Sequence, residues 1–458
     1  MFKWSTNNII DATGGRDVNG CNWIHSSNIS TDTRSIKKGD LFIALKGKNF
    51  DGHNFLHEAF LKGAVAAIVS EGKYKNFPLV IVQDTLKALH DMASYYIRNV
   101  LVDAKVIAIT GSVGKTTTRD MLHTVLSQYG VSHANEGNLN NNIGLPLTIL
   151  KAPKNCQYLI LEMGMNKAGE IKELSKISNP NIAVITNIEP AHTENFSSLF
   201  DVAQAKLEIL YGMKNNGTLI LNRDNKYYDY LSSHANRNVI SFGKDKNAEV
   251  CLLDLIRNDD GLNLKIRLSD NQTINCNLRV QGEHFAYSLL VAAVVVQSLG
   301  LDLSKLPLAL KNFSVTKGRG NIHKVKYNKK YIHLIDDSYN ASPTSMKTAI
   351  KTLSTYSNQR KVALLGDMLE LGDKSIEFHT DLVKIITENN IDKVYTVGKS
   401  MLELHELLPD NIRGAHFNDS NQLKSDLANI VQNNDAILVK GSQGMKMDLI
   451  VREFIIEY

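Results

Sequence analysis

The sequence has few cysteines and no long apolar run, and each shortage excludes a class of protein. The four cysteines, Cys21, Cys156, Cys251 and Cys276, are far apart and form no CxxC pair. They indicate reduced thiols and argue against a disulfide framework or a zinc site. The N-terminal stretch MFKWSTNNIIDATGG lacks the apolar core of a signal peptide, and the longest apolar run, 289–296, is too short to cross a bilayer. A cytoplasmic protein that is not embedded in a membrane is therefore predicted.

The charge balance gives no sign of a nucleic-acid partner. Fifty-two Lys and Arg against 47 Asp and Glu leave a formal net charge of +5, and no dense basic block is present. A weak positive balance suits a site for anionic small molecules. Hydrophobic residues make up 43% of the chain and charged residues 22%, as in ordinary globular proteins. A length of 458 residues exceeds one ordinary core, so two or three domains are expected.

The stretch VIAITGSVGKTTTRDM, residues 106–121, predicts a phosphate-binding loop. A short apolar strand leads into a glycine turn, and a helix follows. Backbone N–H groups of such a turn, together with the start of the helix, attract an anion. The usual P-loop glycine is replaced by Ile109, and the alternative is a plain glycine turn with a solvated lysine. Gly-Lys-Thr at a strand-to-helix junction favours the P-loop, and the candidate ATP-binding residues here are Gly111, Ser112, Val113, Gly114, Lys115, Thr116 and Thr117.

Two further polar side chains follow predicted strands of the same unit. Glu162 ends the apolar run YLILE, and His192 lies in the loop after IAVIT. Because the carboxyl ends of parallel strands meet at one edge of a sheet, both side chains are expected to face the phosphates and a metal ion. The alternative, two solvated loop residues, is weakened by the convergence of three strand ends.

Lys206 is an anomaly in the helix predicted for Ser198–Met213. Both faces of that helix are apolar, so the lysine lies among apolar neighbours. A lysine that extends its amine to the solvent and a buried functional lysine are equally compatible with this pattern.

The chain divides into three predicted α/β units. Residues 1–98 form a small unit with helices at Gly52–Leu61 and Thr85–Arg98, the latter capped by Thr85. Residues 99–314 hold the P-loop and an antiparallel meander, with strands at 249–255, 262–268 and 273–278. Residues 315–458 alternate strands and helices as in a doubly wound, Rossmann-like domain, but lack GxGxxG. Two polar stretches of the first unit, 30–34 and 46–53, can be solvated loops or can bind a diphosphate and a base.

Taken in order, these motifs make the chain resemble the Mur ligases over essentially its whole length. The motifs are GDLFIALKGKNFDGHNF, TGSVGKTTT, GNLNNNIGLPLTIL, LEMGMN, TNIEPAHTENF, QAKLEI, GRG, IDDSYNASPTSM, LGDMLELG and VKGSQGMKM. Of these, IDDSYNASPTSM and LGDMLELG favour the members that add D-alanyl-D-alanine to a UDP-muramoyl tripeptide.

The resemblance implies an ATP-dependent amide ligase of the cytoplasmic stage of peptidoglycan synthesis. The terminal carboxylate of the tripeptide would attack the γ-phosphate of ATP, and the amine of the dipeptide would then displace phosphate from the acyl phosphate. The implied cofactors are ATP, two Mg²⁺ ions and a carbamylated Lys206. The implied partners are small-molecule substrates, without nucleic acid, and the chain is expected to act as a monomer.

Roles follow from the resemblance residue by residue. Lys115, His192, Lys206 and Arg319 would be catalytic, and Thr116, Glu162, His192 and carbamylated Lys206 would hold the metal ions. Arg319, Asp336 and Asn340 would contact ATP. The remaining substrate-binding residues would be Asn140, Asn141 and Tyr339 near the reacting groups, and Thr33, Arg34, Lys46, Phe50, Asp51, Gly52 and His53 at the uridine-diphosphate end.

One departure from the family and three alternatives stay open at this point. Phe285 and Ser288 replace amides that hold adenine in the family. A sibling ligase that adds diaminopimelate or lysine is one alternative, although no DNPR-like motif is present, and a folylpolyglutamate synthase is another. The third is a nucleotide-binding regulator that no longer ligates, but the P-loop lysine and the metal carboxylate are both retained.

Overall fold

The computed structural model describes residues 2–18, 25–26, 28–47, 49–72, 77–190, 193–258 and 261–456. The predicted metal ligand His192 lies outside the described residues. Within them the chain forms three sheets of five, nine and six strands, taken in sequence order. The predicted α/β class, with a P-loop unit between a small unit and a Rossmann-like unit, is confirmed. No helix among the described residues is both long enough and apolar enough to cross a bilayer.

The first unit is a mostly parallel sheet with strand order β1-β5-β4-β3-β2, in which only β1 pairs antiparallel. Its strands are β1 (Arg16–Val18), β2 (Ile29–Ser30), β3 (Leu41–Ile43), β4 (Ala66–Val69) and β5 (Leu79–Ile81), and its helices are α1 (Thr6–Thr13), α2 (Leu56–Leu61) and α3 (Thr85–Asn99).

Two helix predictions in the first unit need correction. The first four residues of the helix predicted for Gly52–Leu61 form a 3₁₀ turn, because the Asp51 carboxylate accepts the His53 N–H at 3.0 Å and tightens it. The cap of α3 is Asp84, not Thr85, since its carboxylate accepts the first free N–H groups of the helix at 2.8 and 2.9 Å.

The second unit places the P-loop strand in the middle of a nine-stranded sheet with the order β14-β13-β12-β11-β10-β9-β6-β8-β7. The strands are β6 (Lys105–Thr110), β7 (Ser132–Ala134), β8 (Tyr158–Glu162), β9 (Ile182–Ile185), β10 (Thr218–Asn222), β11 (Asn238–Gly243), β12 (Val250–Asn258), β13 (Gly261–Arg267) and β14 (Thr273–Leu278). The helices are α4 (Lys115–Leu126), α5 (Gly144–Lys151), α6 (Glu170–Ser178), α7 (Leu199–Leu207), α8 (Tyr228–Ser233), α9 (Phe285–Ser298) and α10 (Leu306–Leu310). Strands β12 to β14 form the predicted antiparallel meander and continue the parallel part of the sheet.

The helix predicted for Ser198–Met213 is shorter than expected. It ends at Leu207 and continues as a 3₁₀ helix over Glu208–Gly212. The Ser175 hydroxyl donates a hydrogen bond to the carbonyl of Ile209, and the Glu208 carboxylate accepts the Gly169 N–H at 2.8 Å. These contacts with α6 replace the regular helical pattern after Lys206.

The first unit is fixed to the second through α3. The His90 ring lies 2.6 Å from the carbonyl oxygen of Asn142, and the Tyr96 hydroxyl donates to the carbonyl of Ala152 at 2.7 Å. One continuous apolar cluster includes Trp4 and Ile9 of the first unit and Val106 of the second. The two units therefore share a core instead of meeting at a polar surface.

The third unit is a doubly wound sheet with the order β15-β16-β20-β17-β18-β19, in which β15 alone pairs antiparallel. Its strands are β15 (Asn321–Tyr327), β16 (Lys330–Asp337), β17 (Arg360–Gly366), β18 (Lys393–Val397), β19 (Arg413–Phe417) and β20 (Asp435–Lys440). Its helices are α11 (Pro343–Ser354), α12 (Ser375–Thr380), α13 (Leu382–Glu388), α14 (Lys399–Leu407), α15 (Ser420–Ile430) and α16 (Asp448–Ile456).

Candidate active site

A cavity of about 1410 Å³ lies where the carboxyl edges of the second and third sheets face each other. The second sheet contributes the residues that follow β6, β8, β9 and β10. The third sheet contributes the residues that follow β16 and β17 and those at the end of β20. The carboxyl ends of the strands of both sheets thus face one cavity, and these are the ends at which parallel sheets bind ligands.

The P-loop is braced from behind by the loop that follows β9. The Thr186 hydroxyl donates to the carbonyl of Val113 at 2.6 Å, and the Ser112 N–H donates to the carbonyl of Asn187 at 2.8 Å. Gly111 has φ of 149°, and a Cβ there would lie 1.9 Å from the Thr186 Oγ1. This contact requires glycine at position 111, inside the loop.

Lys115 starts α4 and lies over the loop. Its ammonium donates to the carbonyl of Gly111 at 2.8 Å and to that of Ser112 at 3.2 Å. Burial lowers the pKa of Lys115, the Glu162 carboxylate opposes that shift, and the Arg319 guanidinium reinforces it. The charges of Glu162 and Arg319 therefore both act on Lys115 across one site.

Glu162 and Thr116, the two predicted metal ligands of the P-loop region, both line the cavity. The Asn140 amide donates to Glu162 Oε1 at 2.8 Å, and the Arg119 guanidinium donates to Oε2 at 3.2 Å. The Asn135 side chain accepts the Glu162 N–H at 2.6 Å and so fixes the end of β8. The Thr116 hydroxyl lines the cavity and has no hydrogen-bond partner within the described part of the chain. A carboxylate and a free hydroxyl beside a phosphate site fit Mg²⁺, which takes oxygen ligands.

Lys206 lies at the C-terminal end of α7 and borders the same cavity, although only 4% of its surface is exposed. Burial, aided by the charge of Lys115, lowers the pKa of Lys206 well below its ordinary value. No carboxylate or hydrogen-bond acceptor pairs with its amine among the described residues. The geometry favours the buried functional lysine over one that reaches the solvent, and a buried neutral amine fits carbamylation.

Arg319 of the third unit borders the same cavity as Lys115. Its guanidinium lies over the Tyr339 ring at 4.2 Å, and its Nε is buried without a hydrogen-bond partner among the described residues. Gly318 and Gly320 on either side have φ of 80° and 90°, so the short loop turns tightly and presents the arginine. An unpaired buried guanidinium nitrogen is costly and fits a site for an anion.

Asp336 is placed differently from the expected ATP contact. Its Oδ2 accepts the Gly318 N–H at 3.1 Å, and its Oδ1 accepts the Ser338 hydroxyl at 2.6 Å. It supports the Arg319 loop from below, while the neighbouring Asp337 lines the cavity and pairs with Lys440 at 2.7 Å.

The residues predicted for the uridine-diphosphate end do not border this cavity. Arg34 pairs with Asp32 at 2.6 Å, and Lys62 donates to the carbonyl of Thr33 at 3.1 Å. In the second stretch Asp51 contacts both the His53 ring, at 2.6 Å, and the Lys46 ammonium, at 3.7 Å. Phe50 is half exposed and stacks on Phe55 with ring centres 5.0 Å apart. These residues form two clusters of the first unit, and their substrate contacts remain a prediction.

The predicted residues therefore fall into three groups. Those that line the cavity are Ser112, Val113, Gly114, Lys115, Thr116, Thr117, Asn140, Asn141, Glu162, Lys206, Arg319, Tyr339 and Asn340. Those that do not line it are Gly111, Asp336, Thr33, Arg34, Lys46, Phe50, Asp51, Gly52 and His53. His192 is in the third group, outside the described residues.

Several lining residues escaped sequence reasoning. Asn222 ends β10, and Asp224 and Asn225 follow it in the cavity wall, where Asp224 accepts the Tyr287 hydroxyl at 2.8 Å. The rule that found Glu162, a polar group at a strand end, would also have found Asn222. The replacements Phe285 and Ser288 are both buried beside the cavity, and the Ser288 hydroxyl lies 3.1 Å from that of Thr118.

Three family models match consecutive parts of the chain. They are described as the Mur ligase family catalytic domain, matching residues 25–108, the Mur ligase middle domain, matching 109–296, and the Mur ligase glutamate ligase domain, matching 318–443. Together these ranges cover most of the sequence.

Relatives of known name match over nearly the full length. The UDP-N-acetylmuramoyl-tripeptide--D-alanyl-D-alanine ligase of Buchnera aphidicola subsp. Baizongia pistaciae is 40% identical, over 95% of this chain and 93% of that protein. A crystal structure of MurF from Acinetobacter baumannii superposes with a TM-score of 0.91 at 30% identity, covering 100% of this chain and 99% of that one. The MurF ligase of Thermotoga maritima, solved in complex with ADP, gives a TM-score of 0.83 at 28% identity, covering 94% and 97%.

Proposed function

The chain belongs to the Mur ligase family, and from that premise we propose that it joins D-alanyl-D-alanine to the terminal carboxylate of UDP-N-acetylmuramoyl-tripeptide at the expense of ATP. One observation carries this proposal: Lys115, Glu162 and Lys206 of the second unit and Arg319 of the third border one cavity. It is large enough for a nucleotide beside a second substrate.

The reaction has two steps. In the first, the carboxylate of the tripeptide attacks the γ-phosphorus of ATP, the bond to the β-phosphate oxygen breaks, and an acyl phosphate and ADP form. In the second, the amine of D-alanyl-D-alanine attacks the acyl carbon, a tetrahedral intermediate collapses, and inorganic phosphate leaves. A carboxylate is a poor electrophile, so phosphorylation supplies the leaving group that amide formation requires.

The protein's contribution to the first step is positioning and charge neutralisation. Lys115 neutralises the β- and γ-phosphates from the P-loop side, where the backbone N–H groups of residues 113–116 surround the same oxygens. Arg319 approaches from the third unit, and its unpaired Nε supports a contact with phosphate. Asn140 and Asn141 line the adjoining wall and suit the carboxylate to be activated.

Thr116, Glu162 and carbamylated Lys206 would hold Mg²⁺, with His192 as a ligand of a second ion. Bound Mg²⁺ neutralises phosphate oxygens during transfer. The carbamate forms when the neutral Lys206 amine attacks CO₂ and loses a proton, which converts a costly buried cation into an anionic oxygen ligand. The lowered pKa of Lys206 supports this assignment, because only the neutral amine is a nucleophile.

The finer features of the proposal extend beyond the cavity. The first unit binds the uridine-diphosphate end through Thr33, Arg34, Lys46 and residues 50–53. The functional boundaries lie near residues 98 and 314, and Asp336 positions the loop that contacts ATP. The protein acts as a monomer in the cytoplasm on small-molecule substrates.

Phosphate release tests the proposal. The protein is incubated with ATP, Mg²⁺ and UDP-muramoyl tripeptide, with and without D-alanyl-D-alanine, and phosphate and the muramoyl pentapeptide are quantified. Release that depends on the dipeptide, with one pentapeptide formed per phosphate, is the expected result. Release that ignores the dipeptide contradicts the proposal.

Matched substrate pairs test the sibling activities. We expect no ligation product from UDP-muramoyl dipeptide with diaminopimelate or lysine, and none from a folate with glutamate. Turnover with either pair above that with D-alanyl-D-alanine would reassign the chain within its family.

A further inference from the structure

Arg119 is a buried cation beside the proposed metal carboxylate. It lies one turn after Lys115 on α4 and is 3% exposed. Its guanidinium donates to Glu162 Oε2 at 3.2 Å and to the carbonyl of Gly137 at 2.9 Å. Its other edge contacts Asp120 Oδ1 at 2.8 and 2.6 Å. Burial of such a charge is tolerated only when it is paired on all sides, as it is here.

Asp120 carries the chain of contacts onward to the third unit. Its Oδ2 accepts a hydrogen bond from the Thr316 hydroxyl, 196 positions further along the sequence. The carbonyl of Thr316 in turn accepts the Arg319 N–H at 3.1 Å. The turn that presents Arg319 to the cavity is therefore attached to α4 through one carboxylate.

The two ends of this chain border the cavity and its middle does not. Glu162 and Arg319 line the space, whereas Arg119, Asp120 and Thr316 do not, and Thr316 lies on the exposed surface. Each carboxylate oxygen of Glu162 has a second lone pair, so the Arg119 contact leaves capacity for a metal ligand bond. Arg119 orients the Glu162 carboxylate without competing for the same position.

We propose that Arg119 and Asp120 are positioning residues that connect the Arg319 loop to the Glu162 carboxylate, so that the phosphate-binding arginine and the metal-binding carboxylate are placed together. Thr316 is the contact through which the third unit enters this connection. The proposal rests on the proposed function in one respect, which is that Glu162 is taken as a ligand of the metal ion. Loss of the Thr316 hydroxyl should therefore weaken the effect of Mg²⁺ on ADP binding, although Thr316 does not border the cavity.

The test compares Thr316→Val with Thr124→Val in the full chain. Thr124 is on α4, as Asp120 is, and its hydroxyl donates to the backbone carbonyl of Asp120 at 3.0 Å. The Thr124→Val variant therefore loses a local hydrogen bond but keeps the connection between Asp120 and Thr316. ADP binding is measured by calorimetry with and without Mg²⁺, and the ratio of the two affinities gives the Mg²⁺ effect. We expect Thr316→Val to reduce that ratio about threefold or more, with Thr124→Val at the wild-type ratio. An unchanged ratio in Thr316→Val, or an equal loss in Thr124→Val, overturns the proposal.

A second pair of variants tests the guanidinium itself. Arg119→Lys keeps the charge but cannot span Glu162, Gly137 and Asp120 together, whereas Arg119→Gln loses the charge. Both should lower the Mg²⁺ effect, Arg119→Gln more than Arg119→Lys, while both bind ADP without Mg²⁺ as the wild type does. A wild-type Mg²⁺ effect in Arg119→Gln also overturns the proposal. Wild-type protein that binds Mg²⁺ and ADP but forms no pentapeptide would contradict the proposed function alone, because this readout involves neither the tripeptide nor the dipeptide.

Discussion

Thr344, in the first turn of α11, donates a hydrogen bond of 2.9 Å to the carboxylate of Glu189. The backbone N–H of Glu189 donates to the hydroxyl of Ser112 at 3.0 Å, inside the P-loop. A side chain of the third unit is thus two contacts away from the phosphate-binding loop of the second. The contact joins the two units whose strand ends border the cavity.

Removal of that contact should weaken nucleotide binding. Thr344→Val keeps the shape of the side chain and deletes the donor, and we expect ATP affinity to fall about two- to fivefold. Thr387→Val is the matched control, since its hydroxyl donates to the carbonyl of Val383 at 3.0 Å within α13. Equal affinities for both variants, measured by calorimetry, would show that the contact has no part in nucleotide binding.

Gly111→Ala should damage the P-loop by collision with one hydroxyl. The added Cβ would lie 1.9 Å from the Thr186 Oγ1, so Thr186 must give up its bond to Val113. We expect ATP affinity to fall about tenfold or more. Gly169→Ala is the control, because Gly169 also has positive φ, of 91°, but open space around its Cβ.

The double variant Gly111→Ala, Thr186→Ala identifies the cause. Deletion of the Thr186 hydroxyl removes the nearest colliding atom, so the double variant should bind ATP more tightly than Gly111→Ala alone. An affinity no better than that of the single variant would mean that backbone strain, not the collision, causes the loss.

Lys206→Ala should abolish most activity through loss of a metal ligand. We expect ligation to fall about 100-fold or more, and acetate or another short carboxylic acid to restore part of it by occupying the position of the carbamate. Lys214→Ala is the matched control, since burial also lowers the pKa of Lys214 but that residue is outside the cavity. Full activity of Lys206→Ala would refute the carbamate.

Cys276 should make the protein less stable in alkali. Burial raises the pKa of its thiol from 9.0 to about 12, so between these values the unfolded chain releases a proton that the native state keeps. The native state then binds more protons, and the free energy of unfolding falls as the pH rises. The contribution is fully present below about pH 9 and decreases by at most about 1.4 kcal/mol per pH unit above it.

Unfolding of Cys276→Ala measures this contribution. The free energy of unfolding of the variant minus that of the wild type should be constant from about pH 6 to about pH 8. Above about pH 9 this difference should increase, because only the wild type loses stability there. A constant difference throughout would show that the thiol titrates normally. The same burial predicts that Cys276 reacts slowly with thiol reagents in the native protein, which peptide mapping after labelling would check.

Local spacing was sufficient for the parts of the site that lie within one stretch of sequence. The strand, glycine turn and Gly-Lys-Thr of the P-loop are consecutive, and their geometry is set by backbone conformation and helix polarity. The position of Glu162 could also be predicted from the sequence, since a polar residue at the end of an apolar strand faces the ligand edge in any parallel sheet. The three α/β units followed from the alternation of strands and helices along the chain.

Adjacent residues on one strand were not distinguished by the sequence. Asp336 and Asp337 end β16, and successive side chains of a strand point to opposite faces, so one supports the Arg319 loop and the other lines the cavity. Which of the two faces the cavity depends on register against β20, a pairing about 100 positions away. The sequence motif contains both carboxylates and does not choose between them.

The sequence by itself determined that this protein has a phosphate-binding loop, a carboxylate at a neighbouring strand end and a lysine in an apolar helix, because each depends on residues close together in the chain. Only the tertiary structure decided that Lys206 borders the same cavity as Lys115, that Arg119 pairs with Glu162, and that Thr316 joins the connection to Arg319. Those relationships follow from the order of strands β8, β6 and β9 and from the way the third sheet faces the second. Contacts between distant segments depend on packing of the whole fold, which no local pattern encodes.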